Sequence, residues 1–268
     1  MPEPSGAVYV AWVKRPSARW LWLIPPVLFG AAYLDRIESG PVGDWRGASR
    51  APVGLAPDPK ATPEPVVQVY AARAVRWRGY FGVHTWVAVK PRDAATFTVY
   101  EVNGWRLRRT GSAVSVDDRA PDARWFGNRP DLLAEQRGDG VDELIARIEA
   151  AVASYPYAGT YRVWPGPNSN TFIAHVLRAA PELRADLPAH AIGKDYLGPA
   201  FFARSPSGTG AQVNLFGLVG ALAGVEEGVE LNVLGLTFGV DPLDLALKVP
   251  MAGRLGWPRD SVALAEEK

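Results

Sequence analysis

The sequence predicts an α+β protein: a central antiparallel sheet with flanking helices, preceded by one N-terminal membrane-anchor helix. Three observations predict it. Runs rich in β-branched and aromatic residues (VVQVYAARA, GVHTWVAVK and TFTVYEVNGW) follow one another between residues 66 and 105, each bounded by turn-forming or charged residues. Two later segments carry apolar residues at helical spacing. An uncharged run, WLWLIPPVLFGAAYL from Trp20 to Leu34, stands near the N-terminus.

That run is preceded by Lys14, Arg15 and Arg19 and followed by Asp35, Arg36 and Glu38, a charge arrangement that favours an N-in orientation with the remainder on the extracytoplasmic side. It is shorter than the roughly 20 apolar residues that cross a bilayer core, so a signal-peptide core or a buried helix is the alternative reading. Tryptophans and a tyrosine at its ends suit membrane interfaces. The expected organisation is an N-terminal segment with the anchor over 1–38, a Gly/Pro/Ala-rich linker over 39–65, a single α+β domain over 66–256 and a flexible tail over 257–268.

Composition removes several functions. Across 268 residues, 29 Lys plus Arg balance 28 Asp plus Glu, so there is no global field to gather nucleic acid. The absence of cysteine excludes disulfides, thiolate catalysis and cysteine-ligated zinc. Three histidines (His84, His175, His190), none paired at zinc-binding helical spacing, give no metal site, and no motif points to a cofactor.

Along the chain, the short PRDAA connection makes a hairpin that brings His84, near the start of its strand, close to Glu101 and Asn103 on the next. WRLRRTGSAVSV reads as a further hairpin turning at Thr110 and Gly111. Val141, Leu144, Ile145, Ile148, Val152 and Tyr155 then recur at helical spacing until Pro156. The segment YRVWPGPNSNTFIAHVLRAAPEL is the most informative. Pro165 and Pro167 impose an extended approach, Asn168, Ser169, Asn170 and Thr171 supply capping side chains, and Phe172, Ile173, Val176 and Leu177 form an apolar helical face. Ser169 thus stands where helix amides and dipole converge and favour negative charge. His175, about 240° further round the helix, is read as structural. SPSGTG (205–210) lacks the lysine of a phosphate loop and is read as a tight surface loop, with Arg204 and Lys194 as candidate ligand contacts. AQVNLFGLVGALAG and GVELNVLGLTFGV read as a long hairpin, or a strand and helix, packed on the core, a membrane-inserting hairpin being the alternative.

From about Val66 to Leu255 the strings VHTWVAVKP, YEVNGWR, YRVWPGPNSNTF, AIGKDY, SPSGTG and LNVLGLTFGVDP resemble a bacterial domain family of unknown function. The resemblance implies a membrane-associated envelope protein and carries no known activity; with the N-in orientation of the Trp20–Leu34 run, the expected place is the bacterial inner membrane, with the main domain on the periplasmic or extracytoplasmic side. More distantly, a strand histidine, a polar residue on the next strand and a later nucleophile opening a helix in the context N-[C or S]-N-T-F are similar to circularly permuted papain-like amidases and acyltransferases. In those enzymes the nucleophile is cysteine; here the matching residue is Ser169.

A serine must lose its proton during attack, so this reading requires His84 as general base, within about 4 Å in a resting structure, and a third group, Glu101 or Asn103, to orient the imidazole. Two functions are expected. One is a hydrolase or acyltransferase acting on an envelope amide or ester, with Ser169 as nucleophile and the Ser169 to Thr171 amides as oxyanion donors. The other is a catalytically inactive papain-like scaffold that binds a ligand through the old groove. Asn168, Asn170, Thr171, Trp86 and Trp164 are the candidate ligand contacts, with Trp105 as a further aromatic wall. The expected partners are membrane lipid, through the N-terminal segment, and peptidoglycan, lipid or a protein in the groove; no nucleic acid and no cofactor is expected.

Overall fold

The computed structural model describes residues 46–256, together with Leu23, Pro26, Val27, Gly30, Tyr33 and Leu34. Most of the expected anchor and the whole 257–268 tail lie outside the described residues. Among the described residues no helix is long and apolar enough to cross a membrane.

Two antiparallel sheets make up the fold. The first contains β1 (Val66–Arg73), β2 (Val83–Lys90), β3 (Thr98–Val102), β4 (Val114–Asp118) and β5 (Pro130–Arg137), in the order β4-β3-β2-β1-β5. Every residue of β1 and β2 is buried because both faces of the sheet are covered. Val67, Val69, Val87 and Val89 pack beneath two helices, α2 (Val141–Ala153) and α3 (Ser169–Ala179), meeting Leu144, Ile148, Phe172 and Val176. Tyr70, Trp86, Ala88 and Val99 pack on the opposite side with Trp125. Each large side chain removed from water in this way contributes about 1.5–3 kcal/mol. The expected antiparallel sheet and both expected helices are therefore present.

WRLRRT is a helix instead of the expected strand. This is α1 (Gly104–Thr110): Asn103 Oδ1 accepts the Arg106 amide at 2.9 Å, and Gly111, at φ 77°, closes it in the left-handed region. A cap at each end outweighs the weak alternation of the segment.

The second sheet is a seven-stranded meander: β6 (Phe202–Arg204), β7 (Gly210–Leu215), β8 (Val219–Gly224), β9 (Gly228–Val233), β10 (Leu236–Asp241), β11 (Ala246–Val249) and β12 (Gly253–Leu255), each paired with its neighbours in chain order. The two apolar runs expected to be buried form β7 to β10, and it is their polar residues that are inside. Gln212, Asn214, Glu230 and Asn232 are buried, while Val213, Leu215, Val229 and Leu231 are about half exposed. Countercharges from the preceding loop make this workable. Lys194 Nζ donates to Glu230 Oε2 at 2.6 Å and to Leu187 O at 2.9 Å; Lys248 Nζ donates to Glu230 Oε1 and to Asp186, both at 2.7 Å. Lys194 is thus a buried structural cation and not a ligand contact. The first half of the SPSGTG loop, Ser205 to Ser207, is likewise buried, the rest being half-buried: Ser207 donates its amide (2.9 Å) and hydroxyl (2.8 Å) to the Glu227 carboxylate. Arg204 is exposed, and its carbonyl accepts Arg178 Nε at 2.9 Å.

Candidate ligand cleft

The start of β2, the N-terminus of α3 and the loops around residues 163 and 192 meet at one end of the first sheet. Asn168 organises this meeting. Its Oδ1 accepts the Asn170 and Thr171 amides at 2.9 and 3.3 Å, and its Nδ2 donates to Val163 O (3.1 Å) and Ile192 O (2.9 Å). The Thr171 hydroxyl completes the capping box with the Asn168 amide at 3.1 Å and donates to Gly193 O at 2.7 Å. Asn170 Nδ2 donates to Val83 O (3.2 Å) and Ile192 O (2.8 Å), and the Thr85 hydroxyl shares its proton between Ser169 O and Asn170 Oδ1. The polar cluster thus spends itself on holding α3 to β2. Of the three amides expected as oxyanion donors, those of Asn170 and Thr171 are taken by Asn168, which leaves the Ser169 amide.

His84 lies one residue before Thr85, so it faces the other side of the sheet, with Trp86 and Trp125. Its ring is stacked on the Trp125 indole, centroids 3.7 Å apart and planes 6° apart. His84 Nε2 is 3.0 Å from Glu101 Oε2, which Arg119 Nη2 also approaches at 3.4 Å. Burial alone would raise the Glu101 carboxyl, but the hydrogen bond and charge of His84, with Arg119 and Asn103, hold it below its ordinary value. Between the two candidate orienting groups, Glu101 is therefore the one bonded to the imidazole, while Asn103 caps α1.

Ser169 and His84 both line a cleft of about 680 Å³, a volume typical of small-ligand sites. They reach it from the two sides of one strand end. Among the described residues no hydrogen bond joins them, and neither the Ser169 hydroxyl nor His84 Nδ1 has a hydrogen-bond partner. The walls are mainly apolar: Trp77, Phe81, Trp105, Trp125, Val163 and Trp164, closed by Leu234 and Leu236 from the second sheet. The Trp164 indole donates to Leu234 O at 2.9 Å, fixing one wall to the meander. Asn168 and Asn170 also line the cleft; Trp86 does not, being fully buried with its indole bonded to Pro121 O at 2.8 Å. Trp125 and Arg119 were not singled out by the sequence, because the loop and strand end that carry them have no motif. A neighbouring hollow of about 490 Å³ shares the Trp105–Trp125 wall and is lined by Arg50, Arg106, Arg109, Arg119 and Arg124.

Residues 64–196 match a family described as "Protein of unknown function (DUF3750)". The DUF3750 match takes in the whole first sheet, the three helices and the cleft residues from Trp77 to Ile192, and it stops before β6. The sequence resemblance drawn to Leu255 therefore extends beyond the matched region. No curated protein and no solved structure matches the chain.

Proposed function

We propose that this cleft is a binding groove for the apolar group of an envelope ligand, with the acyl chain of a lipid as the chemistry that fits it, on a papain-like scaffold that no longer turns over substrate. The observation that carries this reading is how the Asn168–Thr171 turn uses its polar groups. The Asn168, Asn170 and Thr171 side chains and two of the three amides of Ser169 to Thr171 are bound within the protein, while the walls around the turn are indole rings and aliphatic side chains. A tetrahedral oxyanion needs unspent donors aimed at it. An acyl chain needs only a dry, shaped wall.

Photo-crosslinking the full chain with a diazirine-bearing fatty acid tests the groove. Adducts are expected on peptides containing Trp105 and Val163–Trp164, and their absence there overturns the reading.

The His84–Glu101 pair favours a second reading, a hydrolase or acyltransferase acting on an amide or ester. With Nε2 held by Glu101, Nδ1 is left as the base that would activate Ser169. Fluorophosphonate labelling separates the two. Binding alone predicts no adduct, whereas labelling of Ser169 that is lost in Ser169→Ala and His84→Ala establishes the hydrolase.

A further inference from the structure

The outer face of the second sheet is apolar apart from Arg204 on the edge strand β6. In register across the strands, one row reads Phe202, Val213, Ala221, Leu231 and Phe238. A second reads Leu215, Val219, Val233 and Leu236; a third begins at Arg204 on the edge strand and continues Ala211, Ala223, Val229, Val240, Leu247 and Leu255. The one charged side chain in these rows is Arg204, at their β6 edge, while the opposite face carries the buried Gln212, Asn214, Glu230, Asn232 and Lys248. A sheet facing water on one side is written the other way round. Polar-in and apolar-out alternation is the pattern of strands whose outer face meets hydrocarbon.

Seven strands about 4.8 Å apart and some 20 Å long present roughly 600 Å² in plan, at the upper end of what monomers leave uncovered.

We propose that this face lies flat on the hydrocarbon boundary of a lipid bilayer as a monotopic docking surface. Three observations select lipid as the occupant. The apolar surface does not stop with the strands: the hairpin tips at both ends expose Phe216 and Leu234, and Val225, Leu243 and Leu245. A second copy packed sheet on sheet would leave those tips in water, whereas a bilayer takes them. The chain also carries another apolar element, the uncharged Trp20–Leu34 run with its basic flank, and its described residues Leu23, Val27, Tyr33 and Leu34 are exposed too. One medium covers both. Finally, Leu234 and Leu236 belong at once to this sheet and to the wall of the cleft, so the apolar surface runs into the groove. Strands of about 20 Å are too short for a hydrocarbon core of about 30 Å, and the open edges β6 and β12 keep backbone groups that hydrocarbon cannot satisfy. The sheet therefore rests on the bilayer and does not cross it.

The cysteine-free chain allows a direct test. A spin label is placed at Leu231→Cys on the outer face, or at the exposed Asp139→Cys as a control, and the full chain is reconstituted in phosphatidylcholine vesicles. Docking predicts that the label at 231 gains collisions with oxygen and loses collisions with a water-soluble nickel chelate, while the label at 139 keeps its nickel accessibility. The loss at 231 should persist in high salt, because the rows around Leu231 are apolar and Arg204 stands only at the sheet edge. A label at 231 that stays nickel-accessible overturns the proposal. So does one shielded from both reagents: with dipolar broadening the occupant is a second copy, and without it a segment of the same chain.

Discussion

Glu101 Oε2 lies 3.0 Å from His84 Nε2, with both side chains almost completely removed from water. His84, stacked on the Trp125 indole, lines the cleft, and Glu101 behind it borders the neighbouring hollow, where a buried unpaired carboxylate would be costly.

Glu101→Gln removes the charge and keeps the shape. Because the folded carboxyl is held below its ordinary value of 4.5, its contribution to stability is complete above that pH and is lost as pH falls through the lower folded value. The variant is therefore expected to be less stable by about 1.5–3 kcal/mol at neutral pH, the range for a hydrogen bond to a charged group. The gap from the unmodified protein should close as the solution is taken well below pH 4.5. Chemical denaturation across that range measures it; a gap that stays constant would show that the carboxylate charge has no part in the effect.

How much of this was legible in the sequence depends on the kind of signal. β1, β2 and β3 were readable because Val, Tyr, Trp and Thr runs have no other common use, and α2 and α3 because apolar spacing and Pro156 or Pro181 bound them. α1 was missed although Asn103 and Gly111 carry both of its caps. AQVNLFGLVGALAG and GVELNVLGLTFGV read only as apolar runs packed on the core; the alternation within QVNL and VELNV marks two unlike faces but does not say which is inside. That depends on Lys194 and Asp186, up to 62 residues away in sequence, supplying partners for Glu230 and Lys248.

The sequence reading names His84 and Ser169, which line the cleft, and Glu101, which is bonded to His84, but not the sidedness of β2. His84 and Thr85 are consecutive and therefore face opposite ways. It is Thr85 that meets α3, a consequence of strand register that no motif encodes.

The buried charges behind the meander should behave as one unit. Burial alone would raise Glu230 and lower Lys194, yet mutual attraction, with Lys248, Asp195 and Asp186 taking part, reverses both and keeps each ionised. Glu230→Gln leaves two buried ammonium groups short of a carboxylate and is expected to cost about 3–5 kcal/mol in urea denaturation. Adding Lys194→Met should recover part of that loss, with a coupling of about 1–3 kcal/mol in the double-mutant cycle. Simple additivity would mean that the two groups do not depend on each other.

Gly193 tests whether the Asn168 cap is what holds the cleft together. Its φ is +95°, and a Cβ there would fall 2.4 Å from Asn168 Nδ2 and 2.7 Å from Oδ1. Gly193→Ala must therefore strain the backbone and push away the side chain that binds two helix amides and two loop carbonyls. The expected loss is about 2–4 kcal/mol, the sum of a cap and a left-handed non-glycine residue. Asn168→Ala removes the same side chain without the strain and should cost about 1–2 kcal/mol. With that side chain gone, Ala at 193 has less to collide with, so the double variant should be more stable than the two single losses predict. Losses that simply add, measured by denaturant unfolding, would place the whole cost of Gly193→Ala in its own backbone and detach it from the cap.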